Sequence, residues 1–265
     1  MNILISNDDG IGANGIRVLT EELSKHHNVY VVAPDRERSA ASHSLTLHTP
    51  LRVEEVEASY GAKKMWTTTG TPGDCVKIAI NAILKDAEKP DIVISGINHG
   101  PNLGHDVIYS GTVSCAVEAS MLGLPAIAVS LAALSAEYED FKFGGKFINN
   151  LLVRLENFKF PPKTLLNINI PKLNEDDIAG VSITELGGRI FTSDYEKRVD
   201  PRGKTYYWMA GIPVNEPADA PTDLAAIRNN RISITPICYD MTYKKSISRL
   251  DEIICSDGSC SWFKL

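Results

Sequence analysis

Short β-branched runs alternate with helical stripes through the first half of this chain, and few folds accept that rhythm. Asn2–Ser6 is an apolar run ended by Asn7-Asp8-Asp9-Gly10, the pattern of a buried strand entering a loop. Residues 16–25 follow with apolar positions at Ile16, Leu19 and Leu23, one face of a helix. Residues 29–33 form a second buried strand, stopped by Pro34. Further strands are expected at 51–56, which alternates, and at 65–69. Thr71-Pro72-Gly73-Asp74 then opens a helix reaching about Leu84, with Ile78 and Ala82 facing inward. A strand at 91–95, a helix at 112–122 and a strand at 126–131 complete the series. This alternation predicts an α/β fold, a mainly parallel sheet with helices on both faces. Such sheets bind ligands in the loops at the carboxyl ends of their strands.

The second half is less regular. A helix is expected within 139–156 and a strand at 165–170 closed by Pro171. Between Gly180 and Val214, strand-like stretches flank Asp200-Pro201-Arg202-Gly203, a sequence suited to a type I turn. Tyr206 and Trp208 fall on one side of the strand after it, an arm that packs on its own domain or on a second subunit. A soft boundary near residue 135 separates an α/β core (1–135) from a C-terminal continuation with hairpin and arm (136–265), the two forming one integrated domain.

Charge and cysteine usage narrow the function classes. The formal net charge of −6 argues against a nucleic-acid polymer or an anionic membrane surface as partner. The amino terminus turns acidic at once, unlike a signal peptide. The most apolar window, 113–134, is broken by Glu118 and Gly123-Leu124-Pro125, unlike a membrane span. Five cysteines, odd in number and without CxxC, point to a reducing cytoplasm rather than a disulfide framework or a zinc site.

Gly10-Ile11-Gly12-Ala13-Asn14-Gly15 matches G-x-G-x-x-G between a strand and a helix, and Asp35 ends the next strand. On spacing alone this is a dinucleotide-binding signature, and it keeps open an oxidoreductase reading. The adjacent Asp8 and Asp9 oppose it. A carboxylate about 4 Å from a phosphate, at an effective dielectric of about 20, is repelled by about 4 kcal/mol. A tight turn with close helix packing accounts for the glycines, and a metal for the aspartates.

The other strand-end loops strengthen the metal reading. Residues 33–44 carry Asp35, Arg36, Glu37, Arg38, Ser39, Ser42, His43 and Ser44, a polar and cationic mouth. The strand at 91–95 runs into Gly96-Ile97-Asn98-His99-Gly100-Pro101-Asn102, where Asn98 offers an amide oxygen. Tyr109-Ser110-Gly111-Thr112 opens a helix with hydroxyls and free N–H groups suited to phosphate. Ligands that are all oxygen fit Mg²⁺, Mn²⁺ or Ca²⁺ rather than zinc. Cys75 and Cys115 sit at helical positions as small core residues.

At these residues the chain resembles the SurE family of survival proteins, known as 5′/3′-nucleotidases. The matching stretches are Ser6-Asn7-Asp8-Asp9-Gly10, Ala33-Pro34-Asp35-Arg36-Glu37-Arg38-Ser39, Gly70-Thr71-Pro72, Ser95-Gly96-Ile97-Asn98, Gly100-Pro101-Asn102 and Tyr109-Ser110-Gly111-Thr112. Ser44-Leu45-Thr46, Asn167-Ile168-Asn169, Asp200-Pro201-Arg202-Gly203 and Thr222-Asp223 match as well, so the resemblance runs the length of the chain. It implies a Rossmann-like core and a divalent-metal phosphomonoesterase acting on nucleoside 5′- and 3′-monophosphates. One Mg²⁺ or Mn²⁺ per subunit is implied, with Ca²⁺ as a substitute in crystals, and a homodimer or homotetramer built with the C-terminal arm. Carried over by position, the metal ligands are Asp8, Asp9, Ser39 and Asn98, with Asp8 and Asp9 catalytic. The phosphate contacts are Ser110, Gly111 and Thr112. Where the family commonly has Gly and Asn, this chain has Ala40 and His43, and the His43 imidazole either replaces the amide as a phosphate donor or alters pH dependence or substrate preference. A nucleotide-binding module without turnover remains a third reading.

Overall fold

The computed structural model describes the chain except residues 189, 192–194, 212, 215–216, 218 and 256–265. Its elements follow the predicted order: β1 (Asn2–Ser6), α1 (Asn14–Leu23), β2 (Asn28–Pro34), β3 (Val53–Val56), β4 (Lys64–Thr68), α2 (Pro72–Ile78), β5 (Ile92–His99), α3 (Gly111–Met121), β6 (Ala126–Ala132), α4 (Tyr138–Arg154) and β7 (Thr164–Pro171). Then come β8 (Val181–Ile183), β9 (Ile190–Phe191), β10 (Tyr195–Val199), β11 (Thr205–Met209), β12 (Pro213–Val214), α5 (Asp223–Arg228), β13 (Ile232–Cys238) and α6 (Ile247–Ile254).

One nine-stranded sheet of order β3-β4-β2-β1-β5-β6-β7-β13-β8 spans both halves of the chain. Pairing is parallel except for β3 on β4 and β13 on β7. The mainly parallel α/β fold is therefore as expected.

Strand alternation divides the apolar residues between two cores. Ile3 and Ile5 of β1 face Ile16, Leu19, Phe141 and Ile148 of α1 and α4, whereas Leu4 faces Cys75, Val76, Cys115 and Ala116 of α2 and α3. Each fully buried Ile or Leu contributes about 1.5–3 kcal/mol, which is why β1 is central. Among the described residues no helix is long and apolar enough to cross a membrane.

Two local expectations need correction. Ala82 is exposed, because after Ile78 the helix widens into a π-helical turn over Ala79–Ile83 and rotates its inward face. Ile78 stays partly buried, and Ala79 and Leu84 are buried instead of Ala82. Cys75, Cys115 and Cys238 are free thiols, but Cys255, at the end of α6, is disulfide-bonded.

The turn between β10 and β11 forms as predicted. Gly203 donates its N–H to the Asp200 carbonyl at 2.9 Å with φ of 81°, and Asp200 Oδ1 accepts the N–H groups of Arg202 and Lys204. The hairpin shows Tyr206, Tyr207, Trp208 and Met209 to solvent.

Candidate active site

β1 lies between β2 and β5, so the loops after these three strands meet at one edge of the sheet. Asp8 and Asp9 follow β1 directly. Asn7 makes the turn possible, its Nδ2 donating to the Gly10 carbonyl at 2.9 Å and its Oδ1 accepting the Gly10 N–H at 3.2 Å.

The two acids sit in different settings. Asp8 is only 4% exposed and lies against the start of α3, where the Thr112 hydroxyl donates to its Oδ1. The fit there demands glycine: a Cβ on Gly111 would fall 2.6 Å from Asp8 Cβ and 2.7 Å from Oδ2. Burial pushes the Asp8 carboxyl up, while the Thr112 hydroxyl and backbone N–H groups of Asp8, Thr112 and Gly111 pull it down. A carboxylate thus occupies the positive end of α3. Asp9 is more open, and the His99 N–H donates to its Oδ2 at 3.1 Å. Burial, then repulsion from Asp8, pushes the Asp9 carboxyl up to about 7, with Glu37 adding to the rise and His99 opposing it.

Two cavities meet at these acids. One, of about 290 Å³, is lined by Asp8, Ser39, Asn98, Asn102, Tyr109 and Ser110 among others. The other, of about 190 Å³, is lined by Asp9, Asn14, Gly15, Glu37 and Phe141, and His99 borders both. Asn98 Nδ2 donates to the Gly100 carbonyl at 2.8 Å, which leaves its Oδ1 without a hydrogen bond among the described residues. Ser39 is exposed and donates to Glu37 Oε1 at 2.6 Å. Ser110 caps α3, its Oγ accepting the Val113 N–H at 3.0 Å.

The expected residues therefore divide. Asp8, Asp9, Ser39, Asn98 and Ser110 share one mouth. Gly111 and Thr112 line neither cavity and are buried behind the mouth against Asp8, Thr112 through its hydroxyl. His43 borders neither cavity: its Nε2 meets Glu118 Oε2 at 2.9 Å, and Glu118, buried on α3, also holds Lys77 at 2.8 Å. Sequence reasoning missed that pairing, although a glutamate inside an otherwise apolar helical window was the signal for a buried partner. Glu37, expected only as part of the polar loop after β2, adds a third carboxylate beside Asp9.

The glycine fingerprint serves packing. A Cβ on Gly15 would stand 1.8 Å from the Ile97 carbonyl oxygen, so glycine lets α1 dock on β5. Gly10, with φ of 96°, passes close to the Arg36 backbone. The cavity beside Gly15 holds Asp9 and Glu37 and no Lys or Arg, a poor seat for a pyrophosphate. Asp35 lies by Arg38 and Arg36, at 3.6 and 4.0 Å.

The donor set fits a hard divalent cation. Burial disfavours charge on both carboxyls, repulsion from Asp8 adds to it at Asp9, and every candidate ligand atom is oxygen. Among the described residues no three His, Cys, Asp or Glu gather as a metal cluster. A cation here would rest on two carboxylates plus neutral oxygens and keep several waters, the habit of Mg²⁺.

The family model for the survival protein SurE matches residues 3–193. A protein named 5′-nucleotidase SurE from Thermosynechococcus vestitus is 51% identical over 258 residues, covering 95% of this chain and 96% of the relative. Another of that name, from Pelotomaculum thermopropionicum, is 49% identical over 255 residues, covering 96% of this chain and 95% of the relative. The crystal structure of a SurE protein from Aquifex aeolicus superposes with a TM-score of 0.81 at 38% identity, covering 95% of this chain and 98% of that one. With the family matched over this mouth and relatives aligned almost end to end, the chain belongs to the SurE family.

Proposed function

We propose that this protein is a phosphomonoesterase that hydrolyses nucleoside 5′-monophosphates to nucleoside and phosphate, and 3′-monophosphates as well. The observation that carries the reading is the pair of carboxyls at the end of β1, held together beside the first turn of α3. The names of the full-length relatives support the substrate class. Asp8, Asp9, Asn98 and Ser39 would hold one divalent ion per subunit, Mg²⁺ or Mn²⁺. When bound, that ion supplies charge stabilisation to a phosphoryl oxygen and makes a water more acidic.

The chain's own groups do the rest. Thr112 and the first N–H groups of α3 fix Asp8 in one orientation. Asp9, steadied by the His99 N–H, orients the attacking water on its more open side. Ser110, on the cavity wall, and the Gly111 main chain contact the phosphate, and their fixed dipoles stabilise charge on its oxygens. Thr112 contributes through Asp8.

The test is phosphate release from a panel of 5′- and 3′-nucleotides with Mg²⁺, Mn²⁺ or excess chelator. Asp9→Asn and chelator should each abolish turnover, and restored divalent ion should recover only the chelated wild type. Full turnover in chelator would refute the metal role, and saturable NAD(P)H binding would favour the dinucleotide reading. A homodimer or homotetramer built with the β10–β11 arm belongs to the same proposal, supported by the exposed Tyr206, Tyr207 and Trp208. Sedimentation of the wild type and a Trp208→Glu variant tests it. A cytoplasmic setting belongs to the same proposal, supported by the free thiols of Cys75, Cys115 and Cys238 and opposed by the disulfide at Cys255.

A further inference from the structure

β7 is flanked by β6 and β13 and is buried along nearly its whole length, yet it carries two asparagines with no exposed surface, Asn167 and Asn169. Amides in such a place are costly unless bonded. Both reach the main chain of Asn102, in the loop between β5 and α3. Asn169 Oδ1 accepts the Asn102 N–H at 2.8 Å, and its Nδ2 donates to the Asn102 carbonyl at 2.9 Å. Asn167 Nδ2 donates to the same carbonyl at 2.8 Å. The Asn102 side chain in turn donates to Ser130 Oγ on β6 at 2.8 Å. A side-chain amide here does what a neighbouring strand would do, reading both the donor and the acceptor of one residue.

The same loop is pinned at regular intervals. Asn98 holds the Gly100 carbonyl, and the Gly100 N–H donates to Leu131 at 3.1 Å. Gly104 donates its N–H to Oδ2 of Asp223, a carboxylate with no exposed surface, at 2.8 Å. Asp223 Oδ1 accepts from Gly187 and Leu224, each at 2.9 Å. Every second residue from Asn98 to Gly104 is thus fixed, by the loop itself, β6, β7 or the start of α5. These ties join the mouth to residues beyond 160.

We propose that Asn169 is a positioning residue for the reaction, holding through the Asn102 main chain the loop that presents Asn98 and Ser110, with Asp223 as a second post at Gly104. The proposal rests on the metal-site reading above. A network that only stabilises the fold would cost stability when cut and leave metal affinity and loop protection intact.

The experiment measures Mn²⁺ binding, amide hydrogen exchange over residues 98–110 and urea unfolding in the full-length protein. Asn169→Ala should weaken Mn²⁺ binding by about 10- to 100-fold and speed exchange at Asn102. Asn169→Asp keeps the acceptor but not the donor and should fall between Ala and wild type. Ser120→Ala removes a buried hydroxyl bond at the far end of α3 and should leave Mn²⁺ affinity within about twofold. A folded Asn169→Ala protein with wild-type Mn²⁺ affinity overturns the proposal. If Asn169→Ala does not fold, Asp223→Asn decides by the same affinity criterion, with exchange read at Gly104. If wild type itself binds no Mn²⁺, the metal reading fails, and unchanged protection of residues 98–110 in the variant then overturns the positioning role separately.

Discussion

Neutralising Asp9 should make the metal-free protein more stable while destroying its activity. The Asp9 carboxyl stands at about 7 in the folded chain against an ordinary 3.8, through burial and the adjacent Asp8. Below pH 3.8 both folded and unfolded chains hold the proton and nothing is lost. Between there and pH 7 the folded chain keeps a proton that the unfolded chain releases, so stability falls as pH rises. Above pH 7 the penalty is complete, about 4 kcal/mol at 1.36 kcal/mol per pH unit. Asp9→Asn removes it. In excess chelator at pH 8, urea unfolding should find the variant several kcal/mol more stable than wild type, and at pH 4.5 only about 1 kcal/mol more stable. Adding Mn²⁺ should stabilise wild type by mass action and leave the variant almost unmoved. A stability difference that is the same at both pH values, or a variant weaker than wild type at pH 8 in chelator, would refute the reasoning.

Other perturbations read neighbouring contacts. Gly111→Ala drives a methyl group into Asp8 and should cost about 1–3 kcal/mol in urea unfolding, with divalent-dependent turnover lost. Thr112→Val removes the hydroxyl from Asp8, so that carboxyl should rise further and kcat/KM fall about 10- to 100-fold, measured as phosphate release. Gly15→Ala collides with the Ile97 carbonyl and should cost about 3 kcal/mol or more, read as a lowered urea midpoint. His43→Ala leaves Glu118 with Lys77, so the loss should be about 1 kcal/mol with KM for a nucleotide unchanged; a strongly raised KM would restore His43 as a phosphate contact.

Local periodicity made the first six strands and their helices legible, because alternation and helical stripes are properties of neighbouring residues. Ala82 escaped that logic when the helix widened to a π-helical turn, which no hydrophobic pattern announces. The edge of the sheet escaped it for a different reason: β13 pairs antiparallel with β7, more than sixty positions earlier, and then parallel with β8. In the site, Asp8, Asp9 and Asn98 were legible as polar residues stopping apolar strands. The pairing of His43 with Glu118 was not legible, because the two lie 75 residues apart. The bond from the Thr112 hydroxyl to Asp8 was not legible either, since it joins residues more than a hundred positions apart. The amides of Asn167 and Asn169 showed in the sequence as polar interruptions of a strand, but only the folded chain reveals the one peptide they share.

The seat of α1 on β5 also limits how this protein can diverge. Gly15 touches the carbonyl of Ile97, the residue immediately before Asn98, so first helix and amide donor move as one piece. A lineage that reshaped the glycine turn to grip a dinucleotide would shift Asn98 in the same stroke. The two chemistries that this stretch of sequence could advertise are alternatives in space, and adopting one dismantles the other.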